Sequence, residues 1–284
     1  MKFAGIIAEY DPFHNGHAWQ LAQAKALGAE RVAVAMSCSL VQRGALPLLP
    51  EAVRTRSALT CGADLVFALP APCACAGAEA FARAGVALLA AAGCDGLVFG
   101  AETPDAALLM EAAELLDSGS YRAALKAQLA GGARSFAAAR QAAAAQLASD
   151  ERVAALLDKP NNNLAVEYCR AIRSLAPRME AYPLPRQGAN HGEALHSAHG
   201  QFASASALRK LWAEGGTDAV APYVPEAVFP LYQEAYAAGQ YTDFSAAGRC
   251  ELALLRSACR GKAPFADIRG VSEGLEHRLE AAGR

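Results

Sequence analysis

His14 and His17 stand three residues apart in His14-Asn15-Gly16-His17, directly after the apolar run Phe3-Ala4-Gly5-Ile6-Ile7-Ala8. The run reads as a buried strand that enters a turn, and a helix begins where the histidines sit. Imidazoles at i and i+3 of a helix start lie on one side of the turn. Their N–H donors, beside a positive helix end, suit the negative charge that develops on an α-phosphate and a pyrophosphate leaving group. Gly16 lacks a Cβ and lets the backbone come close to a ligand. An HxxH pair on its own would be read as a helix cap and a surface residue, or as two metal ligands. No Cys or Asp completes a metal set here, and the setting in Glu9-Tyr10-Asp11-Pro12-Phe13, just after a first strand, favours phosphate. The expected chemistry is nucleotidyl transfer.

The elements that position this turn are legible from the spacing of apolar residues. Strands are expected over 3–8, 31–36, 65–69 and 96–99, and helices over 17–27, 51–61 and 76–92. Strands alternating with helices of this length imply a parallel sheet with right-handed crossovers. Ligands of such sheets bind at the C-terminal strand ends, where His14 and Gly100 both fall. Residues 103–157 are Ala-rich and helical, an insertion within the sheet domain. Pro160-Asn161-Asn162-Asn163 reads as a turn or N-cap that starts a helix over 164–175, with a further strand over 179–183. Residues 188–200 read as a polar loop. Ser204 is expected to cap a helix over 205–214, and helices follow over 226–238, 247–260 and 271–282, the first delayed by Pro230. The fold class is α/β, a Rossmann-like parallel sheet over 1–215 with a helical C-terminal region over 216–284.

The chain has 284 residues, 54% hydrophobic and 19% charged, enough to bury a sizeable core. Eight cysteines are scattered without a CxxC pair, as in small buried hydrophobes of a reducing compartment. The spacing of Cys73 and Cys75 argues against zinc. No signal peptide and no membrane-spanning run are read, so the expected location is the cytoplasm. The net charge of −2 offers no broad basic footprint for nucleic acid. Arg170, Arg173, Arg178 and Arg186, then Arg209 and Lys210, form either a local basic patch or solvated helix faces.

The string Glu9 to His17 resembles the signature of the adenylyl- and cytidylyltransferase superfamily, and more narrowly that of bacterial tRNA(Met) cytidine acetate ligases. Further stretches are similar in order. They include Met36-Ser37 with Val41-Gln42-Arg43-Gly44, Gly62-Ala63-Asp64-Leu65-Val66, and Phe99-Gly100-Ala101-Glu102. Pro160-Asn161-Asn162 with Leu164, Glu167 and Tyr168 follows, then Ser204-Ala205-Ser206-Ala207-Leu208-Arg209 and Val271 to Glu276. The resemblance implies that ATP and acetate give acetyl-adenylate, and that acetyl then passes to N4 of the wobble cytidine of elongator tRNA(Met). It implies that the loop Ile7, Ala8, Glu9, Tyr10, Asp11, Pro12, Phe13, His14, Asn15, Gly16, His17, Ala18, Trp19, Gln20 cradles ATP, with His14 and His17 catalytic. Gly100, Asn161 or Asn162, and Arg186 would complete the nucleotide pocket. Ser204, Ser206 and Arg209 resemble the superfamily's second phosphate signature. Gln42 and Arg43 would reach acetate or phosphate, although their spacing alone reads as an exposed loop. Magnesium would accompany ATP, with no tightly bound metal. The partners implied are acetate, ATP and tRNA, with no membrane; the oligomeric state cannot be read.

Four departures from the family pattern stand out. Cys38-Ser39-Leu40 replaces Gly-Asn-Phe, acidic Glu51 stands where a basic residue is usual, Asn190-His191 replaces a Tyr-His pair, and the chain stops at Arg284, short of a basic C-terminal region. Two other readings follow: an adenylyltransferase acting on a small phosphorylated metabolite, or an inactive nucleotide- or RNA-binding module.

Overall fold

The apolar runs punctuated by glycine and proline become five parallel strands. The structure is a computed structural model that describes residues 1–41, 44–132, 135–186, 196–197, 200–260, 265–268, 271 and 274–283. The strands are β1 (Phe3–Ala8), β2 (Arg31–Ser37), β3 (Leu65–Leu69), β4 (Gly96–Ala101) and β5 (Glu180–Pro185). They lie in the order β3-β2-β1-β4-β5. Successive strands step outward from β1 to β3, then the chain returns to the other side of β1 as β4. A crevice must open at that reversal, beyond the C-terminal ends of β1 and β4.

Side chains alternate between the faces of the sheet. Ala33, Ala35, Leu97 and Phe99 enter one core, and Ala4, Ile6, Val32, Val34, Met36 and Val98 the other. The first core is covered by α4 (Ala78–Ala91) and α9 (Pro160–Leu175), the second by α1 (Asn15–Ala26), α2 (Glu51–Thr60) and α10 (Ala205–Val220). A short helix, α3 (Ala71–Ala74), leads from β3 into α4.

Between β4 and α9 run α5 (Ala106–Asp117), α6 (Gly119–Ala130), α7 (Phe136–Leu147) and α8 (Glu151–Leu156). Each begins on a side chain that accepts a backbone N–H: Asp105, Ser118, Ser135 and Asp150. These are the residue types that cap helices, and they divide the Ala-rich stretch into separate helices.

The expectation that residues 160–163 form a turn or N-cap ahead of a helix starting at Leu164 is corrected. Pro160 is the first helical residue and Asn161 to Asn163 form the first turn of α9. Proline needs no N–H there, and its fixed φ suits a helix start. Within 188–200, the described residues 196–197 (β6, His196–Ser197) pair antiparallel with β7 (Gly200–Gln201). Ser204 caps α10 as expected, accepting from Ala207 N. The helix over 226–238 begins at Phe229, with Pro230 in its first turn (α11, Phe229–Ala237).

The chain divides into two compact units, residues 1–240 and 241–284. The second contains α12 (Phe244–Arg260) and α13 (Leu275–Gly283), with Cys259 Sγ 3.9 Å from the Leu279 carbonyl oxygen. All eight cysteines are free. Among the described residues, no helix is long and apolar enough to cross a membrane.

Candidate functional site

Two imidazoles close the start of α1 on each other. His14 is the N-cap residue, and its Nδ1 accepts from Gly16 N at 3.0 Å. His17 Nδ1 accepts in return from His14 N at 3.3 Å. The rings stack with centroids 3.7 Å apart and planes 20° apart. An imidazole nitrogen that accepts a backbone N–H carries no proton, so each ring is neutral and its proton is on Nε2. Burial, then the charge of Arg186, pushes the His14 pKa down to about 3. His17 is held well below the ordinary value by burial, His14 and Arg186. The pair is therefore a set of neutral N–H donors. Gly16 is required by this packing: a Cβ there would meet His14 Cε1 at 2.9 Å.

The loop before the histidines is held from beneath. Tyr10 takes φ +50°, a left-handed conformation rare for a bulky residue. Such strain costs about 1–3 kcal/mol and persists only where the surroundings enforce it. Tyr10 is fully buried, with its ring 4.8 Å from those of Phe13 and His17. Tyr232 on α11 donates to the Phe13 carbonyl at 2.7 Å. Asp11 Oδ1 accepts from Leu48 N at 2.6 Å, and Arg209 Nη1 lies 3.1 Å from Asp11 Oδ2. Burial raises the Asp11 pKa against the opposing pull of that N–H and of Arg209 and Arg54. Arg54 on α2 is fully buried and donates to the carbonyls of Leu49, Glu9, Ser37 and Cys38. One guanidinium thus ties the residues that follow β1 and β2 to the start of α2.

The opposite wall comes from β4, α9 and β5. Gly100 pairs with Leu184 at the strand ends, and a Cβ on Gly100 would reach Arg186 Cγ at 3.4 Å. Glu102 accepts from Asn162 N at 2.6 Å, from Asn161 N at 3.2 Å and from Asn161 Nδ2 at 2.6 Å. It therefore caps α9, whose own N-cap residue Lys159 supplies no side-chain bond. Burial alone would raise the Glu102 pKa, but the hydrogen bonds from Asn161 and Asn162 outweigh it and hold the carboxyl below its ordinary value. With Nδ2 given to Glu102, Asn161 turns Oδ1 toward Arg186, which donates to it.

Between the walls lies a cavity of about 200 Å³ at the topological switch point. Of the residues singled out in the sequence, Ile7, His14, Gly16, His17, Trp19, Gln20, Gly100, Asn161 and Arg186 line it. Gln20 also donates to the Val98 carbonyl at 3.1 Å, joining α1 to β4. The neutral Nε2–H groups, the Arg186 guanidinium and the start of α1 give the cavity donors for an anion.

Other singled-out residues do not line it. Tyr10, Asp11, Pro12 and Phe13 are buried beneath the loop, and the backbone of Glu9 is bound by Arg54. Asn15 turns away, its Nδ2 donating to the Gln201 and Pro222 carbonyls at 3.0 and 3.2 Å. Asn162 is buried against Thr103. Ser204 caps α10, Ser206 hydrogen-bonds with it, and Arg209 is paired with Asp11, while Ala8 and Ala18 pack against the core. Gln42, Arg43, Asn190 and His191 lie outside the described residues.

Phe99, Leu164 and Tyr168 stood in the family-like stretches without a site role, and Leu184 and Pro185 were not singled out; all five are on the cavity wall. Leu164 and Tyr168 fall three and seven residues after Asn161, a helical stripe that a helix starting at Pro160 would have displayed. Among the described residues, no group of three His, Cys, Asp or Glu is placed to hold a metal ion.

Comparison with known proteins identifies the family. The family described as HIGH Nucleotidyl Transferase matches residues 1–284. A protein of Syntrophotalea carbinolica named tRNA(Met) cytidine acetate ligase is 37% identical over 99% of this chain and 66% of its own length. One of the same name from Caldanaerobacter subterraneus is 34% identical over 99% of this chain and 70% of its own. This chain belongs to the tRNA(Met) cytidine acetate ligase family. It spans about two thirds of the length of these relatives. The crystal structure of Thermotoga maritima TmcAL bound with alpha-thio ATP superposes with a TM-score of 0.86 at 30% identity, covering 100% of this chain and 67% of that one. Its apo form gives 0.87 at 31%. The Rossmann-like parallel sheet expected from the sequence is the fold these ligase-family structures share.

Proposed function

We propose that this chain activates acetate with ATP and passes the acetyl group to N4 of the wobble cytidine of elongator tRNA(Met). The observation that carries the reading is the neutral His14–His17 pair, whose side chains line the crevice at the β1/β4 reversal together with Arg186. The names of the relatives and the nucleotide analogue in the Thermotoga maritima structure support it.

In this reading ATP enters as its magnesium complex. Ile7, His14, Gly16, His17, Trp19 and Gln20 form one wall of its site, with the rest of the loop holding them from beneath, and Gly100, Asn161 and Arg186 form the other. A carboxylate oxygen of acetate attacks the α-phosphorus. The P–O bond to the β-phosphate breaks and pyrophosphate leaves with its electron pair. His14 and His17, as neutral donors, stabilise charge that grows on the transferring and leaving oxygens, and they lose no proton in doing so. Arg186 adds a permanent charge. Ser204, Ser206 and Arg209, which do not line the cavity, would meet the outer phosphates at the α10 start. Gln42 and Arg43 would contact acetate or phosphate. The cytidine amine then attacks the acetyl carbonyl, and AMP leaves.

The test is a single-turnover assay with labelled acetate, ATP and a tRNA(Met) transcript, followed by nucleoside mass analysis. The expected product is N4-acetylcytidine at the wobble position. ATP–pyrophosphate exchange that depends on a small phosphorylated acceptor instead of acetate would replace this reading with a metabolite adenylyltransferase, and ATP binding without turnover would replace it with a binding module.

A further inference from the structure

A second and larger cavity, about 750 Å³, opens along α9 between α4, α5, α6 and α7. Its floor is a closed ion network. Arg140 Nη2 donates to Glu167 Oε1 at 2.6 Å, and Arg170 Nη1 to Glu167 Oε2 at 2.7 Å. Arg170 Nε also donates to Asp117 Oδ1 at 2.8 Å, and Glu79 approaches Arg170 at 3.6 Å.

The remaining two guanidiniums have neutral partners. Arg83 Nη1 donates to Ser174 Oγ at 3.1 Å, and Arg122 Nη2 to the Asp117 carbonyl at 2.8 Å. Four guanidiniums against three carboxylates leave the lining with one positive charge in excess, on a chain whose net charge is −2. Phe136, the first residue of α7, lines the same cavity and stays 61% exposed.

An open aromatic face beside under-neutralised guanidiniums is the chemistry that takes an unpaired nucleotide. The ring stacks on the base, and the cations meet the flanking phosphates. The volume lies within the roughly 300–1,000 Å³ of ordinary ligand sites. Asn161 and Arg170 are nine residues apart on α9, about 14 Å at the rise of an α-helix. The cavity therefore stands close to, but apart from, the histidine crevice. We propose that it docks one unpaired nucleotide of the RNA acceptor, with Phe136 under the base and Arg83 and Arg122 on its phosphates. The proposal rests on the tRNA reading above.

The experiment measures binding of a tRNA(Met) transcript by fluorescence anisotropy across a salt series, with acetate-dependent ATP–pyrophosphate exchange read on the same preparations. Phe136→Ala weakens binding about tenfold, the loss of one stacked base. Arg83→Gln with Arg122→Gln flattens the log–log salt slope by about 1.4, two phosphate contacts of a single strand. The Lys versions of both positions retain the slope. Exchange is unchanged in every variant, because none of these residues lines the histidine crevice. Wild-type affinity and slope in both variants would overturn the proposal, as would a wild-type protein that fails to retain the transcript at low salt. Variants that lose binding of free AMP while still holding the transcript would assign the cavity to a small nucleotide and overturn it too. Absence of exchange in the wild type would instead refute the reading of the histidine crevice.

Discussion

Removing the carboxylate of Glu102 should raise the KM for ATP without an equal loss of kcat. Glu102 accepts three hydrogen bonds from Asn161 and Asn162, and two are as short as 2.6 Å. Two perform a capping role, closing N–H groups that the first turn of α9 leaves open. The third fixes the Asn161 amide so that Oδ1 faces the cavity and Arg186. Glu102→Ala loses a side-chain cap, which costs about 1–2 kcal/mol of stability. It also frees the amide to turn its NH2 toward the Arg186 guanidinium, where donor faces donor. A hydrogen bond that involves a charged group is worth about 1.5 kcal/mol or more, which corresponds to roughly a tenfold rise in KM. Turnover at saturating ATP should change less than about threefold, because no atom of Glu102 lines the cavity. Glu102→Gln should fail to restore the wild-type KM, since its amide places a donor against the Asn162 N–H. Steady-state exchange kinetics and a thermal melt measure both effects. A Glu102→Ala protein with the wild-type KM and melting temperature would refute the argument.

Three further outcomes are expected. Gly16→Ala should cut exchange at least tenfold while circular dichroism stays native, because the added Cβ displaces the stacked His14 ring and little else; an unchanged rate would show that the stacking is not needed. Arg54→Lys should lower stability by about 3 kcal/mol and Tm by roughly 9 °C, since one ammonium cannot serve the carbonyls of Glu9, Ser37, Cys38 and Leu49; an unchanged melt would refute the tie. Stability should fall as pH drops from about 6.5 to 5, since the folded histidine pKa values lie below the unfolded value and the unfolded chain binds more protons there. His14→Asn caps α1 without titrating and should flatten that slope in melts taken across the window.

The sheet was legible because β1 to β4 are short, largely apolar runs separated by stretches of helical length. The β1–turn–α1 unit was legible because its histidines are neighbours in sequence. What escaped was set by residues distant in the chain. The start of α9 was read four residues late, with Pro160 to Asn163 as a turn or N-cap; its actual cap comes from Glu102, 59 residues before Asn161. Asn15 and Arg209 carry the residue types of a phosphate site, yet Asn15 binds the carbonyls of Gln201 and Pro222, and Arg209 binds Asp11 across 198 positions. Spacing cannot reveal that such a group already has a partner inside the fold. Arg54 carries no local signal of its role: its burial and its four carbonyl partners became visible only when the ends of β1 and β2 were brought together.

The central claim is that the His14–His17 pair activates acetate as a neutral donor set. Acetate-dependent ATP–pyrophosphate exchange in the wild type and in His17→Ala tests it most directly. Exchange should require acetate and fall by roughly 10² or more when one transition-state donor is removed. Exchange that ignores acetate, or a His17→Ala rate equal to the wild type, would contradict it.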